Sequence, residues 1–234
     1  MPYAPVEMAL MVMHGLFGTI VVISGAIAMA SAKGGWLHRL GGRVFSLALC
    51  VMVLVILATA LLAPRLVSSL GMIYTIFACY LALTSWATVR TPPRTLDRCT
   101  RIAPVLGATI GSTALAAGGM AATGYITLDA DIPVAAYFVF GILAWLAAWG
   151  DFKVIRQGGA HGASRLVRHI WRMGLVLYLS TSTLFTGPGS VVFPQGVRGS
   201  VVLMLPELTV LALTLYWVVK IMRGQRAAGL RTSA

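Results

Sequence analysis

The chain reads as an all-α, polytopic membrane protein, a single domain over residues 1–234 with seven transmembrane helices in one bundle. Three observations predict this. Hydrophobic residues make up 59% of the 234 and charged residues only 10%, where a soluble domain carries roughly 25% charged residues. Apolar segments close to the ~20 residues that cross a bilayer as helix recur seven times. Once those segments alternate across a membrane, all but Arg65 and Arg198 of the 18 lysines and arginines fall on one side.

The first segment, 8–30, ends in "AMASA", which looks like a leader cleavage site. Its basic cluster follows the apolar run, however, and "MPYAPVE" before it has no positive charge. That is the reverse of a secretory signal, so the reading is an uncleaved helix with an outward amino terminus. "KGGWLHRLGGR" then leads to the second segment, 44–63, and only Pro64 and Arg65 separate this from the third, 66–89. "RTPPRTLDRCTR" precedes the fourth, 102–125, and "TLDADIP" the fifth, 132–150. The long basic stretch "DFKVIRQGGAHGASRLVR" precedes the sixth, 169–187, and "GPGSVVFPQGVRG" the seventh, 200–222. Glycine, proline and charge gather at each break, as loop chemistry requires.

The positive-inside rule makes the basic face cytoplasmic, so the carboxyl terminus is cytoplasmic and the localisation is the inner (plasma) membrane. Lys33, Arg39, Arg90, Arg101, Lys153, Arg168 and Arg223 stand on that face, where they would meet anionic headgroups. The net charge of +12 is thereby explained as topology, and nucleic acid is excluded as the expected partner. A membrane-protein partner or a second copy is the other expected contact. All six tryptophans are expected towards the basic end as an interfacial belt. Cys50 and Cys79 fall inside helices and are read as small buried hydrophobes. No CxxC or HExxH metal motif, nucleotide loop or soluble catalytic domain is present in the sequence.

Chemistry therefore rests on ionisable groups at membrane depth, which are costly and point to function. His38 precedes the second segment and shares a helix face with Gly41, Gly42 and Phe45, leaving room for a flat ring or a close helix. His169 stands at the same end of the sixth, and its face continues through Arg172, Met173, Val176, Ser180 and Thr183. The two histidines are each other's expected partner. Arg168 and Arg172 suit an acidic group: a lipid phosphate, a haem propionate or Asp151. The hydroxyls of the polar stripe, Ser180 and Thr183, line a cavity or return their protons to carbonyls one turn back. On the outer half His14 and Glu207 lie at similar depth and are expected to meet, as a structural pair, a proton or ion pathway, or a cofactor contact. Asp129 and Asp131 read as a solvated loop, with Asp131 as a candidate cap for the fifth helix.

"LHRLGGRVF", "GDFKVIRQGG" and "RLVRHIWRMGLVLYLSTSTLFTG" followed by "VFP" resemble a group of proteobacterial polytopic inner-membrane proteins with no established activity. That group is marked by a histidine in helix one, an HR motif before helix two and an RHxWRM motif at helix six. The resemblance covers nearly the whole chain and departs in helix six, where the hydroxyl-rich TSTLFTG stands. It implies about seven helices, with His14, His38, Asp151, His169 and Arg172 at matching places.

Three functions fit these residues. A haem b or quinone redox protein would use the paired histidines His38 and His169, with Arg168 and Arg172 for propionates. A proton-coupled small-molecule transporter would use His14 and Glu207. An assembly or scaffold protein would need only packing faces such as Gly107 and Gly111. The redox reading, with haem b as its cofactor, is the one preferred here.

Overall fold

The structure is a computed structural model and describes residues 3–127 and 133–232. Seven α-helices and no strand occur among them: α1 Pro5–Ala30, α2 Trp36–Leu62, α3 Ser69–Arg90, α4 Arg98–Ala122, α5 Val134–Arg156, α6 Gly162–Phe185 and α7 Val201–Thr232. Six are long and apolar enough to cross a membrane, consistent with a multi-pass membrane protein. The exception is α6, where Arg168, His169, Arg172 and a run of hydroxyls dilute the apolar residues. From Val167 to Phe185, however, no residue of α6 is exposed. Elsewhere large apolar side chains face outward, as with Leu47, Leu54 and Leu61 on α2. Helices that are apolar on both faces suit lipid as solvent.

The helix ends follow their local chemistry. Pro5 opens α1, where its missing N–H is no loss, and the Glu7 carboxylate accepts from the Ala4 amide at 2.9 Å. Ser68 caps α3 by accepting from the Gly71 amide at 2.9 Å. At the other end of α3, the Arg165 guanidinium donates to the carbonyls of Thr88, Val89 and Thr91, which have no helical donor. Asp97 caps α4 by accepting from the Thr100 amide at 2.8 Å and from the Thr91 hydroxyl at 3.0 Å. Burial raises the Asp97 carboxyl, but the bonds from Thr100 and Thr91 outweigh it and hold it below the ordinary carboxylate value.

Several boundaries differ from the sequence expectation. α5 continues through Arg156 and α6 begins at Gly162, so most of the basic stretch between them is helix rather than loop. Nothing in "DFKVIR" breaks a helix, and Gly158 at φ 70° and Gly159 at φ 123° make the turn. α2 begins at Trp36, which puts His38 in its first turn. The tryptophan belt is incomplete, since Trp145 lies at the middle of α5. Cys50 is exposed and Cys79 only half-buried, so neither is a fully buried hydrophobe. The cap of α5 is Pro133; Asp129 and Asp131 lie outside the described residues.

The chain divides into two compact units, residues 1–55 with 166–234, and residues 56–165. In the first, small residues bring helix backbones close. A Cβ on Gly41 would lie 2.9 Å from the Ser24 carbonyl oxygen and 3.1 Å from the Ala28 nitrogen, so α1 and α2 touch there. One on Gly25 would meet Leu177 at 2.5 Å and Phe45 at 2.9 Å. In the second unit α3, α4 and α5 pack together. Gly111 of α4 and Gly141 of α5 face one another, each leaving only about 3 Å between its missing Cβ and the other's carbonyl oxygen. The face of Gly107 and Gly111 is therefore filled by Tyr80, Ala148 and Trp145 of this same unit, which weakens its reading as a partner surface.

Candidate functional site

The structure brings His38 and His169 together, with ring centroids 6.5 Å apart and planes at 79°. His38 is placed by the turn between α1 and α2. Its Nδ1 lies 2.8 Å from the carbonyl oxygen of Ala28, in the last turn of α1. That carbonyl has no backbone donor of its own helix, is reached more distantly by the Ser31 hydroxyl at 3.3 Å and the Lys33 ammonium at 3.4 Å, and can only accept, so Nδ1 carries the proton. The neutral ring then keeps its lone pair on Nε2, the arrangement of a histidine oriented to ligate or to accept a proton. His169 is held by α6, in the stretch from Val167 to Phe185 where no residue is exposed. Arg168 and Arg172, one residue before it and three after, are both buried.

Two imidazoles bonded to one metal at about 2 Å each have centroids roughly 6 Å apart. The spacing of the pair and the His38 tautomer therefore fit two side chains that would hold one metal ion or haem iron between them. The glycine face fits in part. Gly41 is occupied by the backbone of α1, and only Gly42 has open space, with nothing within 4 Å of its missing Cβ. Among the described residues no group of three His, Cys, Asp or Glu could hold a metal ion.

The polar stripe of α6 takes the second of its two expected forms. Ser180 donates to the Val176 carbonyl at 2.9 Å and Thr183 to the Leu179 carbonyl at 3.0 Å, with Thr181 doing likewise to Leu177. Their protons are committed to the backbone one turn back.

His14 and Glu207 are not joined by a hydrogen bond or ion pair among the described residues. Glu207 is buried and accepts instead from the Thr186 hydroxyl at 3.0 Å. α1 starts at Pro5, so His14 lies about 14 Å along its helix, while Glu207 lies only about 9 Å along α7. Pro206 beside Glu207 interrupts the amide ladder without ending the helix. Thr186→Val is expected to remove the donor from a buried carboxylate and destabilise the protein by about 1–3 kcal/mol. Thr123→Val should be near neutral by the same melting assay, because that exposed hydroxyl only returns to the Gly119 and Met120 carbonyls. Equal melting temperatures for the two variants would remove the importance given to the Glu207–Thr186 bond.

Sequence reasoning missed the Tyr80 hydroxyl as a donor to Asp151. Its carboxylate is fully buried and accepts from the Tyr80 hydroxyl at 2.5 Å. The signal was the absence of any helix breaker after Asp151, which keeps it on α5 rather than in a solvated loop. It also missed Trp217, whose indole carries two ammonium groups, Lys33 at 5.2 Å and Lys220 at 4.9 Å. No protein-family model, curated protein or solved structure matches the chain.

Proposed function

We propose that this is a seven-span inner-membrane protein with its amino terminus outside and carboxyl terminus cytoplasmic, and that it is a redox protein holding haem b between His38 and His169. The family placement proposed with it is the proteobacterial polytopic group that its HR and RHxWRM motifs resemble. The observation that carries the redox reading is the 6.5 Å pair itself, with His38 Nδ1 committed to Ala28. His38 and His169 would hold the haem iron, and Arg168 and Arg172 would supply positive charge for its propionates. Haem bound there would supply one-electron transfer. The chain's own part is to fix the His38 tautomer through Ala28 and to seat His169 on an enclosed helix. The test is a reduced-minus-oxidised visible spectrum of protein purified from haem-replete cells, and a colourless protein would end the haem reading.

Taking α6 as the seventh span rests on its enclosure. A helix shielded by protein tolerates arginine and hydroxyl groups that a lipid-facing helix does not. Reporters inserted at Gly158 and after Ala234 are expected to behave as cytoplasmic, and those in 128–133 and at Gly196 as extracytoplasmic. Gly158 and Gly196 on the same side would leave six spans. A second reading, proton-coupled transport, draws on the buried Glu207 and its Thr186 donor.

A further inference from the structure

A groove of about 690 Å³ opens on the surface of the second unit between α4 and α5. Ala108 and Ser112 form one wall with Pro104, and Trp145, Trp149 and Phe152 form the other. The three aromatic side chains are exposed although large and apolar. The volume lies in the usual range of small-molecule sites. In a membrane-spanning pair of helices, an apolar groove of this kind opens to acyl chains.

Its basic end narrows the choice. Along α4 the helical repeat carries the stripe of Pro104, Ala108 and Ser112 back to Arg101, and along α5 it carries Trp149 and Phe152 on to Lys153 and Arg156. The structure shows two of these cations leaning over the groove's own rings. Lys153 Nζ lies 5.5 Å from the Trp149 ring and Arg156 Cζ 6.0 Å from the Phe152 ring. Arg101, Lys153 and Arg156 are all exposed. Of the two carboxylates at this end, Asp97 is taken up by capping α4 and Asp151 is buried against Tyr80. Apolar walls below and exposed cations above match a two-part ligand with an acyl chain and a phosphate.

We propose that the α4–α5 groove is a binding site for an anionic phospholipid, its chain lying against Trp145, Trp149 and Phe152 and its phosphate held by Arg101, Lys153 and Arg156. A second copy packed parallel in the same bilayer would set like cations side by side, which a lipid phosphate neutralises. The site is independent of whether the histidine pair binds haem.

The test uses the full chain, delipidated in neutral detergent, with dioleoyl phosphatidylglycerol and dioleoyl phosphatidylcholine as probes and native mass spectrometry as readout. Phosphatidylglycerol should bind more tightly than phosphatidylcholine. Arg101→Gln, Lys153→Gln and Arg156→Gln should each lower phosphatidylglycerol affinity about fivefold, and the triple variant should erase the preference. Ser112→Phe, which fills the groove and leaves the cations, should weaken both lipids. Arg198→Gln, in the segment before α7 and away from the basic face, should change neither. Preference retained in the triple variant would overturn the proposal. So would a dimer that Ser112→Phe dissolves and that phosphatidylglycerol does not displace, since a second copy would then occupy the groove.

Discussion

Replacing Gly111 by leucine is expected to leave little folded protein in detergent, and replacing it by alanine to lower the melting temperature by roughly 5 °C. The cause is a contact that cannot relax. A Cβ at Gly111 would lie 2.5 Å from Trp145 Cδ1 and 3.0 Å from the Gly141 carbonyl oxygen. Trp145 is partly exposed and can swing away, but the Gly141 carbonyl belongs to the backbone of α5. Separating the helices to admit a methyl group also forfeits dispersion contacts along the pair. Overpacking at such a position costs about 1–3 kcal/mol for a single methyl, and leucine adds three more carbons. Gly119 on the same helix provides the control, because nothing lies within 4 Å of its missing Cβ. Gly119→Ala should be neutral or slightly stabilising, as alanine is the better helix former. Melting curves of the three variants decide it. Equal behaviour of Gly111→Ala and Gly119→Ala would mean that the α4–α5 contact at Gly111 and Gly141 can open to admit a methyl group.

The helices were legible because each break carries proline, glycine or charge, and because lipid demands apolar runs of a fixed length. The end of α5 was not, since charge alone does not stop a helix and "DFKVIR" has no other signal. The closeness of His38 and His169 to matching helix ends was legible, so they could be matched, whereas the depth of His14 was not, because α1 starts at Pro5, earlier than its apolar run suggests. Rotation about each helix axis was not legible either, and the partner of Glu207 depends on it. Thr186 lies at the close of α6, just before the segment leading to α7, and its hydroxyl reaches Glu207 while His14 does not. Tyr80 was hidden for a different reason. It stands in an apolar run where a tyrosine reads as lipid-facing, and only the packing of α3 with α5 turns its hydroxyl towards Asp151.

If the proposed haem is held by the central pair, removing either histidine is expected to abolish the low-spin bis-histidine band of the reduced protein, because that spectrum requires both imidazoles on the iron. His38 needs particular care, since it also holds the last turn of α1 through Ala28. His38→Ala therefore removes a ligand and a hydrogen bond together, and a loss of colour could follow from a loosened turn. His38→Gln separates the two roles: its side-chain amide can still donate to the Ala28 carbonyl, but it is a poor axial ligand. The expected result is a protein that melts close to wild type and has no bis-histidine band. His169→Ala should give the same spectrum. His161→Ala should leave the band intact, because that ring bonds to the Gly159 carbonyl at 3.1 Å in the α5–α6 turn. A band that survives in His38→Gln would assign the residue to helix capping alone. A band lost in His38→Ala but recovered in His38→Gln would make the same assignment, and His38 would then be a positioning residue for whatever His169 binds.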